Sequence, residues 1–491
     1  MMSLFGLRKQ ALKQQVLLES FHSVDYDVAD KASGVEARAA QRFERLLKED
    51  RLVATSGEFV RTRGDTARSE LFSAISRMPK GALLHTHGIA TGPFEALVDC
   101  LRADGRVFVH VGADSADCLH GEMRYLGREE ALRLGASWKR AGLLPATELL
   151  SLLELPAGLS REQRWPVFGN IWMRVRELSD SLPLWDGEGS YFWHMLSKLL
   201  LTGVTYVELK QLVPAGWVQP SADGASVRRD ASIDEFMRVF TGTVRLFKAR
   251  HPRFVGAKMI WCSLKVLPEP TVRAHTETVL RLMQAFPDAI AGFDLVGHED
   301  TLTPIAAYQQ CLAAFRERGG RLILHAGETL EAEADQIYDA VALGASRIGH
   351  AYSLPKFPAL MRIVRDKGIT VECCPISNQS LGYVDDLRNH PGLVMLNNGL
   401  RLTISSDDAA IFGYSDLSFD FCAVAKAWGL SLSQLKHLAR ASFKCTALSG
   451  EEQVLAERQF DADWANFLQH LVQDEKAQPV PPRSSGRFST K

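Results

Sequence analysis

The stretch Arg321-Leu-Ile-Leu-His-Ala-Gly-Glu-Thr329 is an apolar run that ends abruptly in an imidazole and, three residues on, a carboxyl group. A buried parallel strand wants Val, Ile and Leu along its length. His325 and Glu328 stand where such a strand gives way to a loop around Gly327. Parallel α/β proteins place their chemistry at that end of a strand. Taken alone, the segment reads equally well as a site or as a structural histidine followed by a solvated carboxylate. The rest of the chain has to decide.

Upstream, Gly81-Ala-Leu-Leu-His-Thr-His87 is another short apolar run with a polar ending, here two histidines one residue apart. Positions i and i+2 of a strand share a face, so both imidazoles can turn toward one metal ion. From Val204 the chain alternates strand-like runs with amphipathic helical stretches: Val204 to Lys210, Ala257 to Leu264, Ile290 to Gly297, Arg321 to Gly327, Arg347 to Tyr352, Thr370 to Ser377 and Leu400 to Asp408. With Gly81 to His87 these make eight β-then-α units. No G-x-G-x-x-G follows a strand and no G-x-x-x-x-G-K occurs, so the pattern predicts a closed (β/α)₈ barrel and not a nucleotide-binding open sheet. The helix after the first later strand starts with a capping box, Ser232 and Glu235, and carries Phe236, Val239, Phe240, Val244 and Phe247 on one face, a core-packing pattern.

Around this barrel, assigned to residues 76–473, the sequence predicts an N-terminal helical extension over 1–75 and a disordered tail over 474–491. Ala39, Phe43, Leu46 and Leu47 form an apolar stripe in the extension that either the body of the chain or a second copy must cover; a homodimer built partly by this extension is expected. Residues 106–111 read as a further short strand, and 126–202 as largely helical with nothing catalytic.

The 491 residues carry 57 Lys+Arg against 58 Asp+Glu. Bulk electrostatics therefore make no case for nucleic acid or an anionic membrane surface, and a small neutral ligand is expected. No apolar run reaches spanning length, and Met1 to Gln10 offer few apolar residues before charge returns, so neither a membrane partner nor a signal peptide is expected. Eight scattered cysteines without zinc-ribbon spacing suit reduced thiols in the cytoplasm, with Cys373-Cys374 packed in the core.

In a barrel the C-terminal strand ends form one mouth. His85 and His87, His325 with Glu328, His350, and Asp407 with Asp408 all fall there. Three imidazoles and a carboxylate suit one Zn²⁺ per chain, although iron, manganese or cobalt accept the same ligands. The metal brings the pKa of its water toward ~7. One further group must orient or deprotonate that water and another must protonate what leaves. His350 fits the first role, unless it is a fourth ligand, and Glu328 fits the second if burial keeps it protonated.

Met78-Pro-Lys-Gly-Ala-Leu-Leu-His-Thr-His87, Gly292-Phe-Asp-Leu-Val-Gly-His-Glu299, His325-Ala-Gly-Glu-Thr329, Arg347-Ile-Gly-His350, Cys374-Pro-Ile-Ser-Asn-Gln379 and Ser405-Ser-Asp-Asp-Ala-Ala-Ile-Phe-Gly413 together resemble the adenosine deaminase family of metal-dependent hydrolases. Tyr383-Val-Asp-Asp-Leu-Arg-Asn-His-Pro391 and the long extension resemble its growth-factor-like branch. The resemblance implies that His85, His87, His325 and Asp407 hold zinc, that His350 orients the attacking hydroxide and that Glu328 protonates N1 of the purine. It further implies that Asp408 bonds N7, that the Gly297 backbone N–H approaches N3, and that the reaction turns adenosine, or a related 6-aminopurine nucleoside, into inosine and ammonia. Where that branch has a polar, His-containing segment near the ribose, this chain reads Met259-Ile-Trp-Cys-Ser-Leu-Lys265, leaving Trp165 and Glu208 as candidates for sugar contact. Two other readings stay open: another metal-dependent amidohydrolase reaction, and a growth-factor-like binding protein with a spent site. The cytidine-type zinc deaminase pattern fails, because His275-Thr-Glu277 is followed by no P-C-x-x-C.

Overall fold

The computed structural model describes residues 34–112 and 120–473. Eight parallel strands form the centre: β1 (Gly81–His87), β2 (Val204–Leu212), β3 (Gly256–Leu264), β4 (Ile290–Val296), β5 (Ile323–Ala326), β6 (Arg347–His350), β7 (Thr370–Cys373) and β8 (Arg401–Ile404). β1 to β4 pair in sequence, as do β5 to β8. Parallel bridges Phe293↔Leu322 and Thr86↔Asp407 join the two runs at both seams, so the sheet closes into the expected (β/α)₈ barrel. Nearly every strand residue is buried, as inward faces meet in the interior and outward faces meet the helices.

Two strands end four residues before their apolar runs do. The run Thr370 to Ser377 stops at Cys373, because Pro375 opens a helix at Pro375–Ser380, where a ring-locked φ and a missing N–H are tolerated. The run Leu400 to Asp408 stops at Ile404, and Asp407 has left the extended region with φ of 57°.

The helix predicted from the Ser232 box spans Ile233–Arg250; Ser232 and Glu235 cap each other reciprocally, and Phe236, Phe240, Val244 and Phe247 are buried. In the extension, α1 (Gly34–Glu49) buries Ala39 and Phe43 within the chain, against the C-terminal helix Gly450–Gln473. The body of the chain thus covers that part of the stripe, and the homodimer expected from it rests on the family resemblance alone. Residues 1–33 and the tail over 474–491 lie outside the described residues.

Between β1 and β2 the structure is more varied than a helical reading allows. Val107–His110 is a strand as expected, but it is the centre of a three-stranded antiparallel sheet with Met123–Tyr125 and Trp138–Arg140. A hairpin, Trp217–Pro220 with Val227–Ala231, follows β2. These strands are only three to five residues long, too short for alternation to stand out. Helix α2 (Arg161–Ser179) lies across the barrel mouth. Cys373 and Cys374 are buried free thiols in the core.

Candidate metal centre and active site

His85 and His87 sit at the end of β1. Nδ1 of His85 is 2.8 Å from Glu372 Oε2 on β7, and Nδ1 of His325, on β5, is 2.7 Å from Asp294 Oδ2 on β4. The other oxygen of Asp294 accepts the His325 backbone N–H at 2.9 Å. Each carboxylate fixes its ring with Nδ1–H donating, which turns Nε2 toward the mouth; metal-binding histidines are oriented in this way. The two carboxylates share a cation: Lys210 Nζ, on β2, lies 2.7 Å from Asp294 Oδ2 and 3.3 Å from Glu372 Oε2. Arg347 continues the network, at 2.6 Å from both Glu372 Oε1 and Glu208 Oε2. Burial opposes ionisation of Asp294, but the His325 imidazole and the Lys210 ammonium outweigh it and hold the carboxyl well below its ordinary range. Glu372 is likewise held down against burial, by Lys210 and Arg347.

Asp407 follows β8. Its Oδ2 accepts from Ser377 Oγ at 2.7 Å. Its Oδ1 is 3.2 Å from His85 Nε2 and 3.1 Å from His87 Nε2. Donor atoms of His85, His325, His350 and Asp407 all lie within 4.8 Å of one another, as do those of His87, Asp407 and Asp408. Asp407 belongs to both groups, and together they contain every predicted ligand. Among the described residues, His85 Nε2 and Asp407 Oδ1 are buried without a hydrogen-bond partner. Buried polar atoms are rarely left so, and two such atoms facing each other suit a divalent cation with mixed nitrogen and oxygen ligands.

His350 ends β6 with φ of 62°, and Ala351 follows at 46°, an uncommon conformation for non-glycine residues that clusters at functional sites. His350 Nε2 is 4.0 Å from Asp407 Oδ2, while its Nδ1 faces Asn378 Nδ2 at 3.3 Å and Glu328 Oε1 at 3.4 Å. Burial holds its pKa well below the ordinary value, against the pull of Asp407. Gly327, with φ of 78°, turns the chain between His325 and Glu328; a Cβ there would lie 2.3 Å from Ile337 Cδ1. Glu328 is fixed by its backbone N–H, which donates to Glu299 Oε2 at 3.0 Å. Burial, then the nearby carboxylates of Asp407 and Glu299, push the Glu328 carboxyl well above its ordinary value. Burial and Asp407 do the same to Asp408. Asn378 is itself oriented, since His390 takes the Gly392 N–H on Nδ1 at 3.0 Å and donates Nε2–H to Asn378 Oδ1 at 3.1 Å.

These groups open into one cavity of about 790 Å³, lined by His87, His325, Glu328, His350, Asp407, Asp408 and Gly297, whose φ is 118°. Helix α2 covers it with Trp165, Phe168, Trp172 and Met173. Trp165 stacks on His298 at 4.3 Å between ring centroids and donates Nε1–H to Tyr383 Oη at 2.9 Å. Of these four α2 residues, the sequence singles out Trp165 alone; the aromatic spacing at 165, 168 and 172 is the signal for Phe168 and Trp172. Of the two residues considered for sugar contact, Trp165 lines the cavity and Glu208 does not: it is spent on Arg347, the Tyr206 hydroxyl and the Ala447 N–H. His275 and Glu277 lie on the helix Glu269–Ala285, outside the cavity.

A family model described as adenosine deaminase matches residues 144–458, well over half of the chain. The match begins after β1, so His85 and His87 join the matched part through barrel closure. Among curated relatives, adenosine deaminase 2 of Dictyostelium discoideum is 30% identical over 420 residues, covering 82% of this chain and 76% of the relative. Adenosine deaminase 2 of Sus scrofa is 30% identical over 442 residues, covering 85% and 84%. Among solved structures, an adenine deaminase from Arthrobacter aurescens superposes with a TM-score of 0.55 at 20% identity, over 79% of this chain and 99% of that one, which supports the barrel fold.

Proposed function

The chain belongs to the adenosine deaminase family of hydrolytic enzymes, and on that premise we propose that it deaminates adenosine, or a closely related 6-aminopurine nucleoside, to inosine and ammonia with one zinc ion per chain. The observation that carries the reading is the convergence on Asp407 of the histidines at the ends of β1, β5 and β6, beside two carboxyl groups, Glu328 and Asp408, whose pKa values burial and the neighbouring Asp407 push upward. In this reading His85, His87, His325 and Asp407 would hold the ion. When bound, it supplies the acidity that makes hydroxide available near neutral pH.

The residues of the chain do the rest. His350 is kept neutral by burial and its Nδ1 faces Asn378 and Glu328, so Nε2 is the atom that orients the attacking water. Addition at C6 removes the aromaticity of the six-membered ring, and protonation of N1 is worth most at that point. Glu328, the buried neutral acid, donates that proton. Purine N7 has a lone pair and no hydrogen, so a bond to it needs a donor, and Asp408 in its neutral form provides one. The Gly297 N–H meets N3. Water adds at C6 and its released proton replaces the one that Glu328 gave to N1; the proton of the new C6 hydroxyl then passes to the amino nitrogen, the C6–N bond breaks, and ammonia leaves with inosine, which keeps its proton on N1, as the remaining product.

The reading includes a cytoplasmic location, supported by the seven cysteines of the described residues, all free thiols that a reducing compartment would preserve, and a homodimer, supported by the family resemblance. The test is incubation of metal-loaded protein with adenosine, deoxyadenosine and other 6-aminopurines. Ammonia from at least one is expected, and release from none would overturn the reading.

A further inference from the structure

In the seating just given, one edge of the purine has no partner. The strands run in order around the barrel, and three of them are assigned: Glu328 beside β5 to N1, Gly297 beyond β4 to N3, and Asp408 after β8 to N7. The perimeter of the purine runs from N1 through N3 to N9 and then N7. That order maps onto β5, β4, then β3, β2 and β1, and finally β8. Whatever N9 carries therefore faces the C-terminal ends of β1 to β3.

Leu212, Cys262 and Leu264 line the cavity there and offer little to a hydroxyl group. Of the polar groups there, His87 belongs to the metal centre and Lys210 is engaged by Asp294 and Glu372; beside Ser179, that leaves Gln211, on β2, and Asp180, just past the end of α2. They are tied together: Gln211 Nε2 donates to Asp180 Oδ1 at 3.3 Å and to Ser179 Oγ at 3.3 Å. Gly88 makes room for this arrangement, since a Cβ there would lie 2.3 Å from Gln211 Oε1. The Asp180 backbone is pinned by its carbonyl, which accepts the Val218 N–H at 2.8 Å. Arg176, one turn earlier, also lines the cavity. Burial lifts the Asp180 carboxyl to about 7, with Arg176 opposing. A carboxyl so placed has bonding capacity left beyond Gln211.

We propose that Asp180, oriented by Gln211, is the specificity residue for the N9 substituent and bonds a sugar hydroxyl. This inference rests on the proposed deamination. A site built to bond a hydroxyl rejects analogues that lack it, because its own polar group is left unpaired.

The test compares kcat/KM for adenosine and for 9-methyladenine, which lacks the sugar, in wild type, Asp180→Ala and Asp180→Asn, each checked for folding by its thermal transition. Wild type is expected to prefer adenosine. Asp180→Ala should lower kcat/KM for adenosine by about 10- to 100-fold, mainly through KM, the size of one hydrogen bond involving a charged group. The loss on 9-methyladenine should stay under about 3-fold on the same grounds. Asp180→Asn should fall between, and it carries the comparison if the alanine variant does not fold. Equal losses on both substrates, no loss on adenosine, or no wild-type preference would overturn the assignment while leaving deamination standing. A wild type that releases ammonia from no 6-aminopurine would instead remove deamination, and the inference with it.

Discussion

The Lys210 ammonium lies 2.7 Å from Asp294 Oδ2, the same oxygen that faces Nδ1 of His325. One buried cation thereby stabilises a carboxylate that orients a metal-binding imidazole, and through Glu372 it touches the support of a second, His85. Lys210→Met removes the cation and leaves both carboxylates short of charge. Losing one partner of a buried ion pair costs about 3–5 kcal/mol, so the thermal transition should drop. Loss of support behind the ligands should also weaken zinc binding by about 10- to 100-fold, read by competition with a chelator. An unchanged zinc affinity would show that the network serves folding alone.

Glu328→Gln keeps the shape of the side chain and removes the acid. Turnover should fall by about 10²- to 10⁴-fold, the usual contribution of a positioned general acid, while bound metal stays stoichiometric by elemental analysis. Unaltered turnover would withdraw the proton-donor role.

Asp408→Ala and Asp408→Asn separate donation from charge. The amide still offers an N–H to N7, so Asn should retain more kcat/KM than Ala, whose loss should be about 10-fold or more, the value of a buried hydrogen bond left unmade. Equal losses in the two variants would count against the N7 bond.

His390 gives a stability prediction. Burial lowers its pKa to about 3 from an ordinary 6.5, and the neutral ring is held between the Gly392 N–H and Asn378 Oδ1. The unfolded chain binds the proton more readily than the folded one, so stability rises with pH across this window. The contribution is full above about 6.5 and is lost progressively as the pH falls toward about 3. His390→Asn should be less stable at pH 7 and should show a shallower fall of the thermal midpoint between pH 6.5 and 4, on the linkage argument. Parallel curves for the two proteins would contradict it.

The barrel and the inner ring of the site were legible because titratable residues interrupt apolar runs at their ends, where β-then-α order brings distant positions together. His85, His325, His350 and Asp407 stand out for that reason. Lys210, Asp294, Arg347 and Glu372 were equally visible as residues, yet a charge inside a strand does not declare its partners; only the register of β2, β4, β6 and β7 puts them in one interior. Trp165, Phe168 and Trp172 carry a helical spacing that reads as core packing, and their role in covering the cavity depends on where α2 crosses the mouth. Asp180 is one residue in a connection, given meaning by Gln211 and the Gly88 gap. The apolar stripe at Ala39 and Phe43 needs a cover, and the chain itself supplies one.

The most direct test of the whole account is ammonia release from adenosine by the protein after chelation and again after zinc is restored. Metal-dependent deamination predicts activity that disappears with the metal and returns on its addition, with inosine formed in equal amount. Undiminished activity in the metal-free protein, or none from adenosine or any other 6-aminopurine in the zinc-loaded protein, would contradict it.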